Sequence, residues 1–134
     1  METNINKIYT TNNPAKRLMG WLFYFSNFVI KIIPMLRHII MFKLKENAIT
    51  PEGKKMAETV KKELEKLKDS IDAIKKLEAG INVVDVPHAY DVILTVDFDL
   101  PEHLEIYKVH PAHQAFIKFN KNYSVSKAAV DYLY

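Results

Sequence analysis

The chain has 134 residues, 49% hydrophobic and 26% charged, with no Cys, three Gly and a formal net charge of +3. That length suits one domain with a real core, and the apolar fraction with its scattered aromatics excludes a disordered or low-complexity chain. Without Cys there is no disulfide framework, thiolate metal site or Cys nucleophile, which suits a reducing compartment and a cytoplasmic location.

The basic balance is local. Residues 1–34 carry Lys7, Lys16, Arg17 and Lys31 against Glu2, which is four minus one, or +3. Of the 19 basic and 16 acidic residues in the chain, 15 of each therefore remain for residues 35–134, where they cancel. Charge gives that domain no nucleic-acid signature.

Residues 1–34 read as a leader. Residues 1–17 are polar, rich in Asn and Thr and without amphipathic period, the pattern of a disordered tail. An apolar run of 13 residues follows, Leu18 to Ile30, bounded by Arg17 and Lys31. A membrane-spanning helix needs roughly 20 apolar residues, so the run is short. It resembles a signal-peptide core, yet no small-x-small cleavage site follows it. Three readings stand: a weak membrane anchor formed by residues 18–30, a helix packing on the domain, or translated sequence upstream of the true start. Met35, placed where the first clean strand begins, favours the third. Unless residues 18–30 act as an anchor, no membrane partner is expected.

Met35 to Lys45 alternates as a strand, with Leu36, His38, Ile40, Phe42 and Leu44 on one face and Arg37, Ile39, Met41 and Lys43 on the other. Both faces are substantially apolar, which predicts cover on two sides. Thr50-Pro-Glu-Gly53 is a helix start, with Thr50 as N-cap and Pro51 in the first turn. Met56, Val60, Leu64, Leu67, Ile71 and Ile74 then recur at three and four, one apolar stripe opposite a face of Lys and Glu. Periodicity runs the helix to Leu77, whereas Ile74 to Ile81 equally fits a strand entering a Gly turn. Val83 to Ala89, with Pro87, reads as a loop, and Tyr90 to Phe98 as a strand. Pro101 to Tyr107 opens a helix that Pro111 interrupts; His110 caps its continuation through Phe119. After a turn at Asn120 and Asn122, Val125 to Leu133 forms a last strand. This order is the split βαβ pattern of a ferredoxin-like α+β fold, a four-stranded antiparallel sheet with helices on one face. The other face needs a cover, and a second copy of the chain is the simplest one.

Several of these segments resemble a known family. The strand Leu36 to Lys45 is similar to the opening of the stress-responsive dimeric α/β-barrel (Dabb) domain family, and Ala79-Gly80-Ile-Asn with Tyr90 to Phe98 to its middle strands. Tyr107-Lys-Val-His110-Pro111-Ala-His113, followed by Val130-Asp131-Tyr132, is the most specific piece. The resemblance covers about residues 35–134 and leaves the leader outside. It implies a ferredoxin-like monomer whose sheet face pairs with that of a second copy in a dimeric α+β barrel, and a strand rather than helix at Ile74–Gly80. Most members of the family have no assigned reaction. A plant branch cyclises linear polyketides with a His and a Tyr that match His113 and Tyr107, and a strand His that matches His38.

Such a trio has intelligible chemistry. A neutral imidazole removes a proton from carbon flanked by carbonyls, and a Tyr hydroxyl holds the developing enolate oxygen. Tyr107, His110 and His113 follow at intervals of three, so one helical face can aim them at His38. The candidate catalytic residues are therefore His113, Tyr107 and His38, in a small apolar pocket with His110, Ile40 and Phe42. The bland alternatives are that His110 merely caps a helix and that His113 bonds a backbone carbonyl. A zinc site from His103, His110 and His113 is rejected because Pro111 spoils their register and no carboxylate sits at a helpful spacing, so no metal or cofactor is expected. His88 and His103 read as ordinary surface residues. Two functions follow: a domain binding a small hydrophobic molecule, or a cyclase or isomerase acting on a carbonyl-rich compound. A cofactor-free monooxygenase is a more distant analogy of fold.

Overall fold

The computed structural model describes residues 33–134; the expectations for the tail and for the apolar run Leu18–Ile30 lie outside them. Strand β1 (Leu36–Leu44) leads to helix α1 (Pro51–Ser70), then strands β2 (Lys76–Ile81) and β3 (Val92–Phe98). Two short helices, α2 (His103–Val109) and α3 (Pro111–Asn120), precede strand β4 (Ser124–Leu133). The four strands form one antiparallel sheet in the order β2-β3-β1-β4. This is the ferredoxin-like arrangement that the element order predicts.

Two ambiguities resolve physically. Helix α1 stops at Ser70, and Ile71 turns extended while its N–H still reaches the Leu67 carbonyl. Ile71 and Ile74 stay buried on the same apolar stripe, which is why periodicity alone runs past the true end. From Lys75, whose N–H meets the Asp97 carbonyl, the chain pairs with β3 and becomes a strand. At the start of α1 the Thr50 hydroxyl accepts from the Gly53 N–H, the capping bond the sequence predicts. A Cβ on Gly53 would lie 1.9 Å from the Asn47 carbonyl oxygen, so only glycine permits this close approach.

The inner face of the sheet carries the core: Phe42 and Leu44 of β1 and Val92, Leu94, Val96 and Phe98 of β3, against Ala57, Val60, Leu64 and Leu67 of α1. Asp91, only 1% exposed, pins the corner between sheet and helix. Its carboxylate accepts from the Leu44 N–H at 2.8 Å and the Ala48 N–H at 2.9 Å, with the Lys43 ammonium 3.9 Å away.

The outer face presents Arg37, Ile39 and Met41 between Asp97, Thr95 and Ile93 on one side and Tyr132, Val130 and Ala128 on the other. Arg37 grips Asp97 through two bonds, of 2.7 and 2.9 Å, and holds that carboxyl below the usual carboxylate range. No helix of the described residues covers this face, and Val130 is 58% exposed.

Asp91→Ala leaves two buried N–H groups and Lys43 without their partner. The loss expected is about 3 kcal/mol of unfolding free energy, measured by urea denaturation, with the far-UV circular dichroism of the native state unchanged.

Candidate functional site

The site begins with Pro111. Lacking an N–H and clashing with a preceding helical turn, proline forces His110 extended (φ −63, ψ 136), and α2 ends there. The His110 Nδ1 then accepts from the Ala112 N–H at 3.0 Å and caps α3. In an unbroken helix that N–H would serve the carbonyl four residues back, Lys108. Freed from it, the Lys108 carbonyl accepts from the Gln114 side-chain amide at 2.6 Å and from the His113 Nδ1–H at 3.1 Å. A carbonyl oxygen only accepts, so the proton of neutral His113 sits on Nδ1 and the lone pair on Nε2.

Tyr107, almost fully buried, lies at the centre of an aromatic cluster. Its ring centroid is 4.3 Å from that of His113, 5.4 Å from Phe98 and 5.8 Å from His38. Burial holds the Tyr107 hydroxyl well above the ordinary phenol value, so it remains a proton donor at neutral pH. Burial also lowers His113, against the opposing bond to the Lys108 carbonyl, and the charges of His38, Lys127 and Lys108 push the same way. His113 is therefore a neutral imidazole at neutral pH.

His38 projects from β1 between Val96 of β3 and Asp131 of β4. Its Nδ1 lies 2.5 Å from Asp131 Oδ1, a bond in which the imidazole donates and the carboxylate accepts. Sequence reasoning gave Asp131 no role of its own. Its signal is the alternation of β4, which places Lys127, Ala129 and Asp131 opposite Phe42, Ile40 and His38 on the inner face.

These groups surround one cavity of about 660 Å³ between the inner face of β1 and β4 and the helices α2 and α3. His38, Ile40, Phe42, Tyr107 and His113 all line it, together with Leu94, Phe116, Ile117 and Asp131. His110, expected in the pocket, is not on its wall, because its imidazole is turned into the cap of α3. His88 is exposed in its loop, whereas His103, read as a surface residue, has a buried Nδ1 with no hydrogen-bond partner among the described residues. Among the described residues no group of three or more His, Asp or Glu is placed to hold a metal ion, and no helix is long and apolar enough to cross a membrane.

Comparisons with known proteins converge on one family. The family model described as Stress responsive A/B Barrel Domain, Dabb, matches residues 36–133. An uncharacterised protein of Streptomyces coelicolor is 32% identical over 81 residues, covering 60% of this chain and 81% of that one. Among solved structures, a dimeric protein of unknown function and ferredoxin-like fold from Bacteroides fragilis is 30% identical, with a TM-score of 0.64 over 75% of this chain and 96% of that one. The hydroxynitrile lyase of Passiflora edulis shares the fold at 13% identity, with a TM-score of 0.61 over 75% of this chain and 93% of that one.

In an NMR titration of the imidazole protons, His113 is expected to take up its proton below the ordinary value of 6.5. The unfolded chain protonates this group first as pH falls, so the folded state loses stability on acidification from about 6.5 downward. His113→Gln removes that part of the pH dependence, read from denaturation midpoints across the same range.

Proposed function

Because the chain belongs to the stress-responsive A/B barrel domain family, we propose that residues 35–134 form a domain that binds a small hydrophobic molecule in the pocket walled by His38, Tyr107 and His113. One observation carries this reading: a cavity of about 660 Å³, a size that suits small-molecule sites, joins an apolar floor to a few convergent polar groups. Phe42, Leu94, Phe116 and Ile117 supply the floor, and the two His and one Tyr stand where a ligand would be oriented.

A specific feature favours a second reading, catalysis on a carbonyl-rich substrate. His113 is neutral, with its lone pair fixed on Nε2, beside a Tyr107 hydroxyl kept protonated by burial. In this reading His113 Nε2 takes a proton from carbon between two carbonyls, and Tyr107 donates to the enolate oxygen. The carbanion carbon then bonds to a second carbonyl within the same chain, and the imidazolium returns its proton to the new alkoxide. Folding of the substrate in the pocket supplies the proximity that such a ring closure needs. His38, held by Asp131, orients the substrate from the opposite wall.

The pairing partner we assign to the open sheet face is a second copy of the chain. The face is apolar at its centre, with Ile39, Met41, Ile93 and Val130 side by side. The Bacteroides fragilis relative is described as dimeric.

Native mass spectrometry of the full chain, purified gently from cells, tests the binding reading. Two chains with a reproducible small adduct support it; a clean dimer without adduct counts against it and leaves transient substrates. Val130→Asp places like charges across the apolar centre and is expected to give monomer with native circular dichroism. A dimer that persists in that variant sinks the assigned face. For catalysis, His113→Ala and Tyr107→Phe are expected to slow cyclisation of a 3,5,7-trioxo ester, followed by ultraviolet absorbance, by about a hundredfold or more. If turnover survives both changes, the catalytic reading fails.

A further inference from the structure

The pocket wall carries more cations than carboxylates. Residues 35–134 hold equal numbers of acidic and basic side chains, yet the cavity is lined by Lys108, Lys121 and Lys127 against one carboxylate, Asp131. That carboxylate is engaged by His38, and Lys108 has Glu105 at 3.4 Å. Lys121 and Lys127 have no carboxylate within ion-pair distance among the described residues. Both are exposed while also lining the cavity, so they stand at its solvent-facing rim. Lys127 gets there by register: it lies opposite Phe42 on β1, whose side chain forms the apolar floor. An inward position on a strand is normally apolar, and a lysine there extends over the pocket with its ammonium toward water. Its charge is felt inside, as one of those that push His113 toward the neutral form.

We infer that the pocket selects anionic amphiphiles, small molecules with an apolar body and a carboxylate head. This deepens the ligand-binding reading above and rests on it. The body enters between Phe42, Leu94, Phe116 and Ile117, where an ion would be stripped of water, and the head stays at the rim between Lys121 and Lys127. A cationic head would meet the same lysines as repulsion, and an uncharged head would gain nothing from them. The discrimination therefore lies in the head group, not in the body.

The test is isothermal titration calorimetry of the full chain at neutral pH with three probes of one chain length: decanoate, decan-1-ol and decylammonium. Decanoate is expected to bind about tenfold tighter than decanol, with decylammonium weakest, and the gap to narrow as salt is raised. The double variant Lys121→Gln/Lys127→Gln brings decanoate to the level of decanol and leaves decanol unchanged. Decanol binding as tightly as decanoate overturns the charge selection while leaving the pocket reading intact. A preference for decanoate that survives in the double variant overturns it too. If none of the three probes binds, the ligand-binding reading itself fails and the selection with it.

Discussion

The arrangement of the site depends on one missing hydrogen bond. Pro111 cannot continue α2, and the cap made by His110 takes the N–H that would otherwise close the next turn. The Lys108 carbonyl is left to side chains, and His113 and Gln114 take it. A continuous helix through this segment would satisfy that carbonyl internally and leave the His113 ring free to rotate and to exchange tautomers. The break therefore acts on chemistry, because it decides which imidazole nitrogen carries the lone pair. His110 contributes without lining the cavity, as the residue that holds the break in place.

Strand β4 is the second constraint. It pairs only with β1, and most of its residues are exposed on both faces. Elsewhere in the sheet the inner face is sealed by α1, but the short helices α2 and α3 leave the inner face of β4 open, and the cavity occupies that gap. Inner positions that would carry Val or Leu in a sealed sheet carry Lys127, Ala129 and Asp131 instead. The outer positions, Ala128, Val130 and Tyr132, continue the apolar face of β1 and β3. One strand thus builds a pocket wall on one side and an unpartnered apolar face on the other.

Much of this was legible in the sequence, and the reasons differ by element. Strands β1 and β3 and the start of α1 declare themselves through alternation, Thr50 and Pro51, which are local signals. The end of α1 was not local: Ile71 and Ile74 continue the helical stripe, and only pairing of Lys75 and Lys76 with Asp97 breaks it. The resemblance, not the period, pointed to the strand there. The family resemblance pointed to His38, Tyr107 and His113, which the spacing of three and the alternation of β1 make compatible with one site, and they meet around one cavity. His110 is the helix cap that Pro111 leads one to expect, and it stays off the pocket wall because its ring is turned to the Ala112 N–H. Asp131 and Lys127 were missed because their roles depend on register between β4 and β1, which no single strand encodes.

The charges around the pocket act together. Lys127 and Lys108 lower the affinity of His113 for a proton, adding to burial, so the cations at the rim help keep a neutral base inside. An anionic head group of the kind proposed would compensate these cations and, by the same Coulomb argument, return proton affinity to His113. On the proposed binding mode, ligand charge and His113 protonation would be linked: an anion at the rim would bind more tightly as His113 gains its proton, and His113 would gain it more readily with the anion in place. His38 is instead bonded to Asp131 on the neighbouring strand. The two imidazoles are consequently not interchangeable. One is held by a carboxylate across the sheet, while the other, held only by a carbonyl, is the one whose proton affinity burial and the nearby lysines lower.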